Sequence, residues 1–299
     1  MSTNRSFLLK RGRYRDVTVP GATETEAGRI NDLGQIAGGY KDADRRDHGF
    51  VRDQRGRVRT IDVPGATGTS AAQINNHGQL VGYYTETGSL DDPANLRRGF
   101  LLEGGRFRNL DVPRAVQTQA YGINNRGQVV GDYLAADGTT HGFIWERGRF
   151  RTVDVPDGLA TSPLGINDRG DNVGLYLDAA GAAHGFLLHN GVTENIDAPD
   201  AALTVPLGIN NHGHIVGTTY RDPTLADSES HGFLLRRGSN RPFTPIDSPG
   251  AVSTIANGIN NNGDITGVYR PAPSRPDNRT AQTDSQTSPC PTSPAAPTS

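Results

Sequence analysis

The side chains best placed to do chemistry in this chain sit where a repeated phrase is broken. Ile-Asn is preceded by glycine at Gly122, Gly165, Gly208 and Gly258, but by Arg29 and Gln73 in two other copies. One residue earlier, Tyr121 and Asn257 replace the apolar Leu164 and Leu207. Nearer the start of the same segments, Glu24, Glu26, Gln117 and Gln119 stand against Thr161, Ser162, Thr204 and Val205. The set holds a carboxylate that can carry a proton, a guanidinium that can grip an oxyanion or carboxylate, and a phenol and carboxamides that can orient a substrate. In an enzyme, Glu26 is the general acid or base, Arg29 the clamp, and Tyr121, Gln119 and Gln73 the orienting donors. An isomerase, cyclase, lyase or hydrolase without a cofactor needs no more than this. The same groups, with Leu164 and Leu207 as apolar wall, equally suit a module that binds a small molecule or peptide unchanged. A third reading makes Glu26 and Arg29, three apart, a salt bridge that plugs a water-filled channel.

Other candidates carry less. His48, His141, His184 and His231 recur once per repeat, which spreads them too widely to share an ion, and each is matched by a recurring Asp before x-Pro. Such pairs are expected to satisfy loop amides. His212 and His214 flank Gly213 without a third ligand nearby, and neither Asp42-Ala43-Asp44 nor Asp91-Asp92 continues into a calcium-loop spacing, so no metal is expected. There is no Gly-x-Ser-x-Gly elbow, phosphate-cradling loop or reactive cysteine, and no cofactor is expected. A lectin with one aromatic platform per repeat is disfavoured because Trp145 is the sole tryptophan.

These residues must be held by something repetitive. Ile-Asn-(Asn/Asp)-x-Gly begins at Ile30, Ile74, Ile123, Ile166, Ile209 and Ile259, followed each time by a second glycine from Gly38 to Gly267. Phe-(Leu/Val/Ile) after Gly or Ser recurs at Phe7, Phe50, Phe100, Phe143, Phe186 and Phe233, with Asp-x-Pro or its variant Thr18-Val19-Pro20 behind it. One unit, Ala120 to Pro156, reads as four strands: Ala120 to Asn124, Gln128 to Leu134, Gly142 to Glu146 and Phe150 to Val155. Gly-containing turns join the first pair and the last. A four-stranded meander cannot bury both faces alone, and six of them arranged radially bury each other. The fold class expected is therefore all-β: a six-bladed β-propeller of four-stranded antiparallel blades over residues 1–270. Because the chain opens on third and fourth strands and ends on first and second, the last blade is expected to close two-plus-two. The short turns define one face. The variable connections, including Thr85 to Arg98 and Arg221 to Ser230, define the other, where a site is expected at the axial mouth. The mouth is expected to be polar over units one to three and six, and apolar over four and five.

The closest copy runs Gly122-Ile123-Asn124-Asn125-Arg126-Gly127-Gln128-Val129-Val130-Gly131, then His141-Gly142-Phe143-Ile144-Trp145. It resembles the HAF-type repeat, and the resemblance spans residues 6 to 269. It implies the propeller but no common activity. Members of that family are often exported, whereas Met1 to Lys10 here lacks the apolar length of a secretory signal, so a cytoplasmic location is expected.

With 30 basic and 32 acidic residues, the whole-chain balance gives no footprint for nucleic acid or an anionic membrane. No window has the length of a transmembrane helix. The expected partner is a small molecule or peptide at the axial mouth of a monomer. Residues 271–299, with seven prolines and little apolar content, are expected to form a disordered tail.

Overall fold

A computed structural model describes residues 4–222, 229–236, 238 and 243–273. The described residues form twenty-four strands. The chain opens with β1 (Arg5–Lys10) and β2 (Arg13–Val17). Blade 1 follows as β3 (Glu24–Ile30), β4 (Ile36–Lys41), β5 (Asp47–Arg52) and β6 (Val58–Ile61). Blade 2 is β7 (Gly68–Ile74), β8 (Leu80–Thr85), β9 (Arg98–Glu103) and β10 (Arg106–Asn109), and blade 3 is β11 (Gln117–Ile123), β12 (Val129–Leu134), β13 (Thr140–Glu146) and β14 (Arg149–Val153). Blade 4 comprises β15 (Ala160–Ile166), β16 (Asn172–Leu177), β17 (Ala183–His189) and β18 (Val192–Asn195). Blade 5 comprises β19 (Leu203–Ile209), β20 (Ile215–Tyr220), β21 (Ser230–Leu235) and β22 (Phe243–Pro245). Blade 6 is completed from both ends of the chain, in the order β2, β1, β24 (Ile265–Pro271), β23 (Ala251–Ile259). Phe7 lies opposite Gly267 across that seam. The molecule is the six-bladed propeller with two-plus-two closure that the split repeat implies.

The repeated phrases are the packing of one blade. The phenylalanines at 7, 50, 100, 143, 186 and 233 are all at most 3% exposed, and burying each such ring is worth about 1.5–3 kcal/mol. Opposite each stands the second glycine of the phrase. At Gly131 a Cβ would lie 1.9 Å from the Gln119 carbonyl oxygen and 2.9 Å from the Phe143 ring, so no side chain fits. The recurring threonine of the first strand accepts a bond from the backbone six residues earlier, as from Val63 N to Thr69 Oγ1 at 3.1 Å and from Val155 N to Thr161 Oγ1 at 3.0 Å.

Blades are stitched to one another at the Asn-x-Gly turns. Asn31 Nδ2 donates to the Asn75 carbonyl, Asn75 to Asn124, Asn124 to Asn167, Asn167 to Asn210, Asn210 to Asn260, and Asn260 back to Asn31, all at 2.9–3.1 Å. A second circle runs beside it: the amide N–H of each following residue donates to the side-chain oxygen of its counterpart in the next blade, from Asp32 through Asn76, Asn125, Asp168, Asn211 and Asn261. Four of those six are asparagines, whose Nδ2 groups need acceptors. Asp32 Oδ2 accepts from Asn76 and Asn261, and Asp168 Oδ2 accepts from Asn125 and Asn211.

β24 ends at Pro271, and Ala272 N donates to the Gly250 carbonyl at 2.9 Å. The expected tail lies outside the described residues beyond 273, as does most of the 221–230 connection. Among the described residues no helix is long and apolar enough to cross a membrane.

Candidate functional site

The axis has a closed floor. Arg29 reaches from blade 1 across the centre, where Nη1 donates to the Tyr121 carbonyl at 2.9 Å and Nη2 to the carbonyls of Leu164 and Leu207 at 2.9 and 2.8 Å. One guanidinium thus ties blade 1 to blades 3, 4 and 5. Burial lowers its pKa to about 10, which leaves it charged at neutral pH. The glycine column makes room: a Cβ on Gly258 would lie 2.8 Å from the Arg29 Cα, and one on Gly165 2.8 Å from the Leu207 carbonyl. Asn257 Nδ2 donates to the Ala27 carbonyl at 2.8 Å and belongs to the same floor.

This corrects three expectations. Arg29 is a plug rather than a clamp open to a ligand, since its outer nitrogens are committed to carbonyls. It makes no salt bridge with Glu26: the register shift that every first strand carries at this point separates the two, and the arginine extends across the axis to carbonyls instead. Gln73 lies below the plug, lining the asparagine-rich pocket of the opposite face and accepting from Ile123 N at 3.3 Å, so it does not face the mouth.

Above the plug, the functional groups gather on one side. A cleft of about 110 Å³ between blades 1 and 2 is lined by Glu24, Glu26, Ser70, Tyr83, Lys41 and Asp47, with Leu90 and Asp91 from the long 86–97 connection. That connection is held down by Asp47, whose Oδ2 accepts from Ser89 Oγ and Leu90 N, both at 2.8 Å. Lys41 bonds Asp47 and lies 3.0 Å from Asp91. Burial works to lower the Lys41 pKa, but those two carboxylates hold it raised. Glu26 keeps access to solvent, yet partial desolvation lifts its carboxyl above the usual range against the pull of Lys41. Glu24 lies 3.8 Å from Arg45 at the rim.

Tyr83, on the wall of the cleft, meets Tyr121 of blade 3 edge-on, with ring centroids 6.0 Å apart. Behind Tyr121 lies Asp132, 9% exposed, which accepts a 2.5 Å bond from Ser162 Oγ of blade 4 and is also bonded to Tyr121 and Gln119. Burial pushes its carboxyl up to about 6 despite these partners and the nearby Arg97. Burial likewise drives the Tyr121 phenol well above its ordinary value, with Asp132 adding to the effect. Arg97 stands over the Tyr83 ring at 5.9 Å and donates through Nη2 to the Leu90 carbonyl, while its buried Nε has no partner.

Glu24 and Glu26 line the cleft, while Tyr121 and Gln119 stand behind Tyr83 beside Asp132; Asp132, Tyr83, Lys41, Asp47 and Arg97 are neighbours that the first strands alone do not reveal. A signal existed. The residue after the second glycine runs Gly39, Tyr83, Asp132, Leu175, Thr218, Val268, and the residue two before the Gly-Phe glycine runs Asp47, Arg97, Thr140, Ala183, Ser230. Gln117 sits at the rim, half-buried and outside the cleft. The polarity of the mouth is also rotated from expectation. Ser162 adds a hydroxyl in blade 4, while blade 6 offers Ile255 opposite Val268, and blade 5 offers Val205. Leu164 and Leu207 contribute carbonyls to the plug as well as half-buried side chains.

The repeated histidines are structural in geometry. His141, His184 and His231 each place Nδ1 2.9–3.1 Å from the Asp of Asp-x-Pro, whose other oxygen accepts from the following glycine amide. In blade 2, Arg98 substitutes for the histidine and bonds Asp111 at 3.1 Å. Among the described residues, no three His, Cys, Asp or Glu side chains converge as metal ligands would.

No family model matches this chain, and no curated protein matches it. Among solved structures it is similar to a TolB-type protein of Agrobacterium tumefaciens, at 12% identity and a TM-score of 0.64, covering 91% of this chain and 100% of that one. It is also similar to TolB of Acinetobacter baumannii, at 10% identity and a TM-score of 0.55, covering 89% of this chain and 63% of that one. AofleA of Arthrobotrys oligospora matches at 13% identity and a TM-score of 0.50, covering 92% and 90%. At such identities the likeness is one of fold, and it places the chain among the β-propellers.

Two outcomes follow from the floor and the mouth. Arg29→Met leaves three inward carbonyls without their donor and is expected to lower the unfolding free energy by about 2–4 kcal/mol in urea titrations, with Arg29→Lys retaining part of it. The Asp132 pKa is raised in the fold, so its contribution is present below about pH 4 and lost as pH rises through about 6. Denaturation from pH 4 to pH 7 should therefore show Asp132→Asn gaining on the wild type by up to about 3 kcal/mol, and a pH-independent difference would contradict the burial described.

Proposed function

We propose that the axial mouth binds a small molecule carrying an amine-bearing polar head and an apolar body. The head lies over blades 1 to 4 against Glu26, Asp132 and the Tyr83–Tyr121 pair, and the body lies against Val205, Ile255 and Val268. The observation that carries this reading is the grouping of Glu26, Asp132 and Arg97 above a channel floor sealed by Arg29. A floor of that kind stops a ligand from passing through and gives it a surface to rest on. Carboxylates outnumber free cations there, because Lys41 is committed to Asp47 and Asp91. That imbalance favours a cationic or amphoteric head, with the unpaired Arg97 Nε–H available to an oxygen on the same ligand. The repeat phrases around Ile123 and Phe143 support a place among HAF-type propellers.

A second reading is favoured by one feature: a carboxyl titrating near 6 against a buried phenol is what general acid–base chemistry requires. In that case Asp132 or Glu26 moves the proton, Tyr121 orients, and Arg97 takes the clamp role first expected of Arg29. Isomerisation, cyclisation, elimination and hydrolysis are the reaction types that such a set can serve without a cofactor.

A thermal-shift screen of amine-bearing small molecules tests both readings. A ligand at a hundredfold its Kd stabilises by about 2.7 kcal/mol, a rise of several degrees in Tm. Affinity is expected to fall about tenfold per pH unit below pH 6 in the wild type, and to lose that dependence in Asp132→Asn. Turnover of the bound molecule that disappears in Glu26→Gln or Asp132→Asn, with affinity kept, selects the enzyme. A ligand whose affinity and turnover both ignore the two substitutions rules out this site.

A further inference from the structure

The outer edge of the disc carries a second pattern that the mouth does not use. The turn and strand closing blades 6, 1 and 3 read Arg-Gly-Arg-x-Arg at 11–15, 55–59 and 147–151, and blade 2 reads Gly-Gly-Arg-x-Arg at 104–108. Every arginine in these four pentads is exposed. Blade 4 has Asn190-Gly191-Val192-Thr193-Glu194 at the same place, so the pattern is a property of four consecutive blades and not of the repeat. A chain with a formal net charge of −2 has therefore gathered eleven positive side chains on one arc.

Strand pleating fixes where they point. Arg151 lies opposite Ile144, which packs with Val153 against Ile166 of blade 4, so Arg149 and Arg151 rise from the side of blade 3 that faces blade 4. The equivalents behave alike. Arg15 pairs with Leu8, which packs on blade 1, Arg59 pairs with Val51, which packs on blade 2, and Arg108 reaches over Trp145 of blade 3 at 6.0 Å. Each of the four inter-blade grooves thus holds two arginines two residues apart. On blade 3 the arginines border a hollow of about 620 Å³ that the blade's own Gln128, Ile144, Glu146 and Phe150 complete. Arg57 is paired with Asp53 at 2.7 Å. Among the described residues, the other arginines of the pentads have no ion-pair partner.

We infer that this arc is a docking surface for a linear acidic polysaccharide, gripped groove by groove through its carboxylate or sulfate groups. Guanidinium forks match planar or tetrahedral oxyanions with two parallel bonds, and an array of them adds affinity by valency. The edge of a disc is convex, which suits a flexible chain better than a rigid duplex. The aromatic rings of the pentads, Tyr14, Phe107 and Phe150, are half-buried against the cores of their blades, so none of them offers the fully exposed stacking platform that suits single-stranded nucleic acid.

Binding of the full chain to immobilised heparin and alginate tests this, with a 30-nucleotide oligothymidylate and phosphatidylserine vesicles as the other arms. Retention on at least one polysaccharide at about 50 mM salt is expected, with log Kd rising steeply with log salt. Replacing the last arginine of each pentad together, in Arg15→Ser/Arg59→Ser/Arg108→Ser/Arg151→Ser, should weaken binding at least tenfold and flatten the salt slope. Arg45→Ser/Arg46→Ser, which removes two exposed cations outside the pentads, should change it less than twofold. These substitutions are on the surface, and an unchanged melting curve confirms that the fold is intact. Failure of both polysaccharides to bind, equal losses in the two variants, or tighter binding of the oligonucleotide or the vesicles would overturn the inference.

Discussion

Six asparagine side chains, each donating to the backbone carbonyl of its counterpart one blade on, close a circle on which the rest of the molecule depends. The donors come from residues that are 3–5% exposed, where an unmade bond costs about 1–3 kcal/mol, so no single blade can be satisfied unless its neighbours are in register. The second circle, from Asp32 to Asn261, imposes the same condition one residue later. Its two aspartates, in blades 1 and 4, provide the acceptors that an all-asparagine circle would lack. Propeller stability is usually attributed to sheet-on-sheet packing. Here, polar bonds around the axis set the angular spacing, and the buried phenylalanines fill the wedges so defined.

Such a frame tolerates asymmetry in its lining. Arg29 replaces a glycine in one blade and spends its charge on three carbonyls, which turns a channel into a floored cup. Once the floor exists, groups that would be solvated at an open channel become partly desolvated, and Asp132 and Tyr121 are pushed far from their ordinary pKa values by burial. The edge has its own asymmetry: arginines gather at the circumference of four blades.

The architecture was legible because each repeated phrase is a packing requirement stated six times. The glycine before Ile-Asn marks the crowded axis, the His and Asp phrases mark a bond that recurs, and the order of the phrases at the two chain ends gives the seam. The site was half legible. Glu26 and Tyr121 could be found by asking where first strands depart from the repeat. Asp132, Tyr83 and Lys41 lie on second strands, and Arg97 at the end of a long connection, so the same question asked of the first strand alone passes over them. Gln73 shows why departure from a repeat does not fix direction: it holds the same position of the shared bulge as Arg29, yet one side chain crosses the axis and the other lines the opposite pocket. The absent Glu26–Arg29 pair makes the same point, since a spacing of three means different things in a regular strand and across a bulge. Net charge also hid the arginine arc, because summing over the chain cancels charges that the fold keeps apart.

Ring closure is tested most directly by removing residues 1–19, which supply two strands of blade 6, and following unfolding in urea alongside the complete chain. The account predicts loss of the single cooperative transition, because the asparagine circles would then rest on a blade whose remaining two strands have no outer partners. A truncated chain that unfolds in one transition at the midpoint of the complete protein would contradict it.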